Sequence, residues 1–266
     1  MRHGGQILVD HLQAEGVRRV FSVPGESFLA ALDGLHDSAI RNIVCRHEGG
    51  AAMMAEAHAK LTGQVGIALV TRGPGASNAA AGIHIARQDS TPMILFVGQI
   101  DTGHRDREAF QEVDYRATFG PLAKWATEVD DIQRLPEYLS RAFHIARSGR
   151  PGPVVMALPE NMLSARADVP SLSPRVPPVA SAPDAQPVWN ALKTARKPLL
   201  VVGGPHWSAQ AAQDLADVGA ASGLPVAVTF RRQDRIDNRH PHYAGDLGVG
   251  MNPALAQRLR DADCQI

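Results

Sequence analysis

Two cysteines in 266 residues, Cys45 and Cys264, are too few and too far apart for a disulfide framework. Neither belongs to a Cys-x-x-Cys pair or has a histidine at metal-ligand spacing, so both read as buried, reduced thiols of a cytoplasmic protein. An excess of either charge is also lacking. Lys+Arg and Asp+Glu each number 27, which gives no electrostatic reason to expect nucleic acid or an anionic membrane as partner. No apolar run approaches the ~20 residues that a membrane span needs. The N-terminal "MRHGGQILVDHLQAEGV" has one short apolar patch broken by Asp10 and His11, unlike a signal peptide. His47, His58, His84 and His104 are scattered, and no metal site is read from them.

What is present is an alternation. Six apolar runs rich in β-branched residues, "RRVFSV" (18–23), "NIVCRH" (42–47), "VGIALVT" (65–71), "PMILFVG" (92–98), "KWATEV" (124–129) and "PVVMAL" (153–158), are separated mostly by stretches of helical period. Over 135–148, for example, Leu135, Leu139, Ala142 and Ala146 share one face and Gly149 marks a stop. The pattern predicts an α/β fold with a six-stranded, mostly parallel sheet flanked by helices, occupying 1–165. Residues 166–187 hold six prolines and little apolar patterning, an extended linker. From 188 to 266 helix and strand signals resume in a second, incomplete α/β domain.

Four constellations could carry chemistry. In "VPGES" (23–27) Pro24 fixes φ, Gly25 permits a close approach and Ser27 is placed to cap a helix, all at a strand's C-terminal end, where open α/β sheets bind ligands. Glu48 stands between a strand and the small-residue helix "GGAAMMAEAHAKLTG". It reads either as a solvated helix-start carboxylate favoured by the dipole, or as a group beside which Gly49, Gly50, Ala51 and Ala52 leave room for a flat object. Enclosure by Met53 or Met54 would desolvate it. "TRGPGASNAAAG" (71–82) makes a tight turn at Gly73, Pro74 and Gly75, with Ser77 or Asn78 as helix caps, but lacks the Rossmann and Walker patterns. "GHRDREAFQEVDY" (103–115) is a polar loop with Phe110 and Gln111 among charges.

Together these stretches, with "SGRPGPVVMALPEN", resemble the thiamine-diphosphate-dependent enzymes of the acetolactate synthase (acetohydroxyacid synthase) and pyruvate decarboxylase superfamily. The resemblance implies that 1–165 is the pyrimidine-binding domain and that Glu48 hydrogen-bonds N1′ of the cofactor's aminopyrimidine, favouring the tautomer that deprotonates thiazolium C2. A solitary carboxylate then suffices, because the cofactor supplies the second base and the electron sink. The resemblance also implies that Gly25 and Glu26 face the reacting carbon, that Gly73 and Gly75 help shape the pyrimidine pocket of a partner subunit, and that Pro24 and Asn78 are cofactor-binding residues as well. By the same matching Gln111 joins Glu48 in catalysis, while Phe110 and Lys124 border the substrate channel.

Implied for the whole protein are decarboxylation of a 2-oxo acid such as pyruvate with carboligation, at least a homodimer, and Mg²⁺ held by a C-terminal domain bearing Gly-Asp-Gly and a later Asn. FAD is a further possible cofactor. Two stretches depart from the family pattern: Glu26 replaces a second glycine usual in acetolactate synthases, and "TFRRQDRIDNRHPHYAGDLG" is not their flavin-contacting sequence. With "GDLG" (245–248) the nearest phrase to Gly-Asp-Gly, the sequence is expected to be a fragment with half an active site, inactive alone. Other readings are a 2-oxo acid decarboxylase or acyl-transferring relative and, from another class, a noncatalytic interaction module.

Overall fold

The computed structural model describes residues 1–170 and 182–266, so half of the expected linker lies outside the described residues. Two compact units flank that segment. In the first, the elements in chain order are β1 (Arg2–His3), α1 (Gly4–Ala14), β2 (Arg19–Ser22), α2 (Leu29–His36), β3 (Arg41–Val44), α3 (Glu48–Thr62), β4 (Gly66–Val70) and α4 (Pro74–Asp89). There follow β5 (Met93–Gln99), α5 (Tyr115–Phe119), β6 (Trp125–Glu128), α6 (Leu135–Arg147), β7 (Pro153–Pro159), α7 (Glu160–Ser164) and β8 (Arg166–Ala167). The main sheet has the order β3-β2-β4-β5-β7-β6. Every neighbouring pair in it is parallel.

Strand composition follows from this order. The central β4, β5 and β7 are buried throughout, which their unbroken apolar text requires, because helices cover both faces. Successive residues then serve opposite layers. Ile67, Leu69, Ile94, Phe96, Val154 and Met156 join the core under α1, α2 and α6. Ala68, Val70, Leu95, Val97, Val155 and Ala157 join the core under α3, α4 and α5. This second layer is built largely of alanine, so its helices approach closely: a Cβ on Gly66 would fall 2.1 Å from the Ala55 carbonyl oxygen, and one on Gly82 of α4 would fall 2.5 Å from Ala52 Cβ of α3.

The six expected strands are these six, and the expected helix over 135–148 is α6, ending at Arg147. Arg166 and Ala167, expected in the linker, instead form β8, an antiparallel pair with β1. Cys45 and Cys264 are free but half-buried, rather than buried as expected.

The second unit contains α8 (Gln186–Thr194), β9 (Pro198–Val202), α9 (Ala209–Ser222), β10 (Val226–Thr229), β11 (Tyr243–Leu247), α10 (Pro253–Asp261) and β12 (Cys264–Gln265). Its sheet, ordered β11-β10-β9-β12, is also parallel. It has its own core, with Val202, Leu215, Val226, Val228 and Ile236 on one face and Leu199, Ala227 and Leu255 on the other. Among the described residues no helix is long and apolar enough to cross a membrane.

Candidate active site

Parallel strands all end on one edge, and the loops leaving β2, β3, β4 and β5 bring most of the candidate residues there. The centre is the turn after β4. Gly73 has φ 56° and ψ −112°, a backbone that disfavours any side chain, and precedes Pro74 at the first turn of α4. Its N–H donates to the Tyr115 hydroxyl oxygen at 2.7 Å. Burial pushes that hydroxyl up to about 12, so it stays protonated at neutral pH. Gln111, itself at φ 66°, lies against this turn. A Cβ on Gly73 would meet Gln111 Cβ at 2.8 Å.

Glu48 is the first residue of α3, behind His47, whose Nδ1 accepts the Gly49 N–H at 3.0 Å. One carboxylate oxygen, Oε2, accepts from Asn78 Nδ2 at 2.9 Å. The other, Oε1, faces Gly75: a Cβ there would come within 3.3 Å of it and 2.8 Å of Thr71 Cγ2. Thr71 in turn occupies the space beside Gly25, where a Cβ would approach it to 2.5 Å, and its hydroxyl bonds Ser27 at 2.9 Å. Gly25, Thr71, Gly75, Glu48 and Asn78 thus form one line of contact across the ends of β2, β4 and α3. The glycines keep a half-exposed carboxylate at a helix N-terminus open to a flat molecule.

Several expected details differ. Ser27 does not cap a helix; it is fully buried, bonded to Thr71 and packed on Gly98. Asn78 serves Glu48 instead of capping α4, and Ser77 donates back to the Gly73 carbonyl at 3.1 Å. Met53 and Met54 are 44% and 48% exposed and do not enclose Glu48. At five and six residues along a 3.6-residue helix they point away from its face.

Lys124 stands apart from these residues. It precedes β6, on the sheet edge opposite the strand ends, and its ammonium donates to the Ser148 carbonyl at 2.7 Å and to the Ile145 carbonyl at the end of α6. Partial burial, with Arg87 nearby, holds it below the usual lysine range.

The cation at the site is Arg72, which the sequence reading passed over. It is 7% exposed. It donates from Nη2 to Glu26 Oε1 at 2.6 Å, from Nε to the Phe110 carbonyl at 3.3 Å and from Nη1 to Glu160 Oε2 at 3.4 Å. The available signal was its position between an all-apolar strand and a tight turn, where a charge must be buried and therefore paired. The Phe110 ring is 74% exposed, and Pro24 is exposed in the loop before Glu26. Among the described residues no group of three or more His, Cys, Asp or Glu could hold a metal ion.

Comparison with known proteins bears on the family of the chain. Residues 2–118 match the thiamine pyrophosphate enzyme N-terminal TPP binding domain, and 185–266 match the central domain of the same enzymes. The isozyme 2 large subunit of acetolactate synthase from Escherichia coli K12 is 34% identical over 99% of this chain and 48% of its own length. The isozyme 3 large subunit of that organism is 36% identical over 99% of this chain and 47% of its own. The catabolic acetolactate synthase of Raoultella terrigena is 37% identical over 76% of this chain and 36% of its own length. The chain therefore spans about half the length of the curated relatives it matches. With both domain models and these relatives in agreement, the chain belongs to the thiamine-diphosphate-dependent enzymes of the acetolactate synthase and pyruvate decarboxylase superfamily.

Proposed function

We propose that the protein of which this chain is part decarboxylates a 2-oxo acid such as pyruvate and joins the remaining fragment to an acceptor, as an acetolactate-synthase-like carboligase. The observation that carries this reading is the Glu48 carboxylate, fixed by Asn78 through one oxygen and turned through the other toward the space that Gly75 leaves open. Thiamine diphosphate, when bound, supplies the nucleophilic carbon and the electron sink. What this chain contributes is a cradle and a proton handle. Glu48 holds the proton at a ring nitrogen of the pyrimidine, while Gly73 and Gly75 allow the ring to approach the backbone. Gln111 and the Phe110 ring border the reacting end, with Glu26 across from them. Mg²⁺ would be held, as the resemblance implies, by a Gly-Asp-Gly stretch and a later Asn. FAD in the second unit is tested by the mass of the bound cofactors.

Assembly as at least a homodimer is supported by α3, whose Met53, Met54, Ala57 and Leu61 are exposed along its outer side, one of them 86% exposed. Such a stripe, directly behind Glu48, suits burial against a second copy. The deciding experiment gives pyruvate to the purified full-length protein with thiamine diphosphate and Mg²⁺ and separates acetolactate from acetaldehyde. Acetolactate is the expected product; acetaldehyde alone would make it a decarboxylase. In the same protein Glu48→Gln should lower kcat at least about 100-fold, since an amide cannot share the ring-nitrogen proton in the same way. Near-normal turnover by that variant would refute the assigned role.

A further inference from the structure

Arg72 makes no hydrogen bond to Glu48 among the described residues, yet it is the group through which three separate segments meet. A guanidinium that is only 7% exposed must be held by acceptors in fixed directions. Those acceptors come from three places in the chain. Glu26 follows β2, the Phe110 carbonyl belongs to the loop between β5 and α5, and Glu160 opens α7 directly after β7. The guanidinium fork is committed to protein groups, with a different nitrogen for each partner, so it is not a free cation waiting for a substrate carboxylate.

The segment it grips is one that needs gripping. Gln111, next to Phe110, has φ 66°, a conformation that costs a non-glycine residue, and it is Gln111 that presses on Gly73. The far end of the loop is tied by Gln99 Nε2 to the Val113 carbonyl at 3.0 Å, and its start by Arg105 to Asp130. Between these tethers the carbonyl of Phe110 is held by Arg72 Nε. Glu26 is 68% exposed along its side chain, so it too has an alternative in water once the cation is removed.

We infer that Arg72 is a positioning residue: a three-way clamp that fixes the Glu26 loop and the Phe110–Gln111 segment relative to the Gly73 turn, and so sets the acceptor side of the site without taking part in proton transfer at Glu48. The kinetic consequence rests on the proposed carboligase reading; the clamp itself does not. Replacing Arg72 by Met removes all three bonds, whereas Arg72→Lys keeps one charge able to hold a single carboxylate but not the fork.

Hydrogen exchange of the 266-residue chain, read by mass spectrometry on peptides covering 24–28, 102–114 and 136–146, tests the clamp. In Arg72→Met, exchange in the first two should rise about 10- to 100-fold, the population change from losing one charged hydrogen bond, while 136–146 in α6 stays unchanged. Arg72→Lys should restore protection of 24–28 but not of 102–114, and Glu26→Gln should loosen 24–28 alone. Unchanged exchange in both loops, or an equal rise in α6, would overturn the clamp.

In the full-length enzyme, Arg72→Met should raise KM for the acceptor about tenfold or more while the affinity for thiamine diphosphate stays within about threefold. A fall in cofactor affinity with KM unchanged would overturn its placement on the acceptor side. A wild-type protein that consumes no 2-oxo acid would sink the carboligase reading while leaving the exchange result to stand.

Discussion

His11 shows how much one side chain can set without approaching the site. It lies on the buried face of α1, 2% exposed, beside the Phe143 ring at 5.9 Å, and neither ring nitrogen has a hydrogen-bond partner among the described residues. Glu15 is 3.9 Å away, but Arg147 already takes its carboxylate at 2.7 Å. Burial therefore dominates and draws the imidazole from 6.5 down to about 4. Because the unfolded chain binds this proton more readily, the contribution is fully present above the unfolded value and is lost as pH falls toward the folded one. About 2 kcal/mol should go between pH 7 and pH 5. Urea unfolding of wild type and His11→Leu at those two pH values checks this, and the variant should lose less stability on acidification. An equal loss in both would remove His11 from the account. The same rule, that a buried ionisable group must be partnered or neutral, separates His11 from Arg72: histidine escapes by staying neutral, whereas arginine has to recruit Glu26 and Glu160.

At the scale of elements, α3 and α4 matter most, because they carry Glu48 and Asn78 and the hydrogen bond between them spans the gap. Their spacing is set by small residues. Gly82→Ala would place a methyl 2.5 Å from Ala52 Cβ and 3.2 Å from the Met53 nitrogen, and must push the helices apart. Overpacking of this kind costs typically about 1–3 kcal/mol. A Cβ at Gly50, in the first turn of α3, would meet nothing within 4 Å among the described residues. Gly50→Ala should therefore stabilise by up to about 1 kcal/mol through helix propensity. Thermal melts of the two variants should move in opposite directions, and a stable Gly82→Ala would show that the interface has slack. The elements were largely legible in the text: β4, β5 and β7 are continuous apolar runs because both faces are covered, and α6 shows its buried stripe in Leu135, Leu139, Ala142 and Ala146. Less legible was what depends on side chains meeting across loops. Arg72 reads as an ordinary polar turn residue until Glu26, Phe110 and Glu160, 46, 38 and 88 residues away, are folded beside it. Lys124 lies apart for the converse reason: its place before β6 puts it on the opposite sheet edge, where the Ile145 carbonyl of α6 and the Ser148 carbonyl just after that helix accept from it. The pairing of β1 with β8 left no periodic signal, each strand being two residues long.

That small ribbon has a consequence for the molecule as a whole, because it decides where the first unit is closed. Arg2 donates to the Val169 carbonyl at 2.6 Å and is paired with Asp10, while His3 caps α1 and bonds Asp33 at 2.8 Å. Ala167 and Val169 are 1% and 6% exposed and belong to the same core as Ile7, Leu8 and Phe143. The polypeptide therefore returns to its own first residues before leaving the unit, and the burial it gains there is lost if it is cut at 165. Truncation to 1–165 should cost about 2–4 kcal/mol relative to 1–170, from the exposed Val169 site and the broken β1–β8 bonds. At the usual sensitivity of a domain this size, that is a drop in Tm of roughly 5 to 15 °C. Residues 1–170, with both helical layers and the whole six-stranded sheet, should unfold in one cooperative transition, since among the described residues each strand of that sheet and each residue of its two core clusters comes from the first unit. Calorimetry of the two truncations decides it: equal melting temperatures would show that β8 merely decorates the edge, whereas the expected gap would make the Arg2–Val169 closure part of the unit's cooperative core.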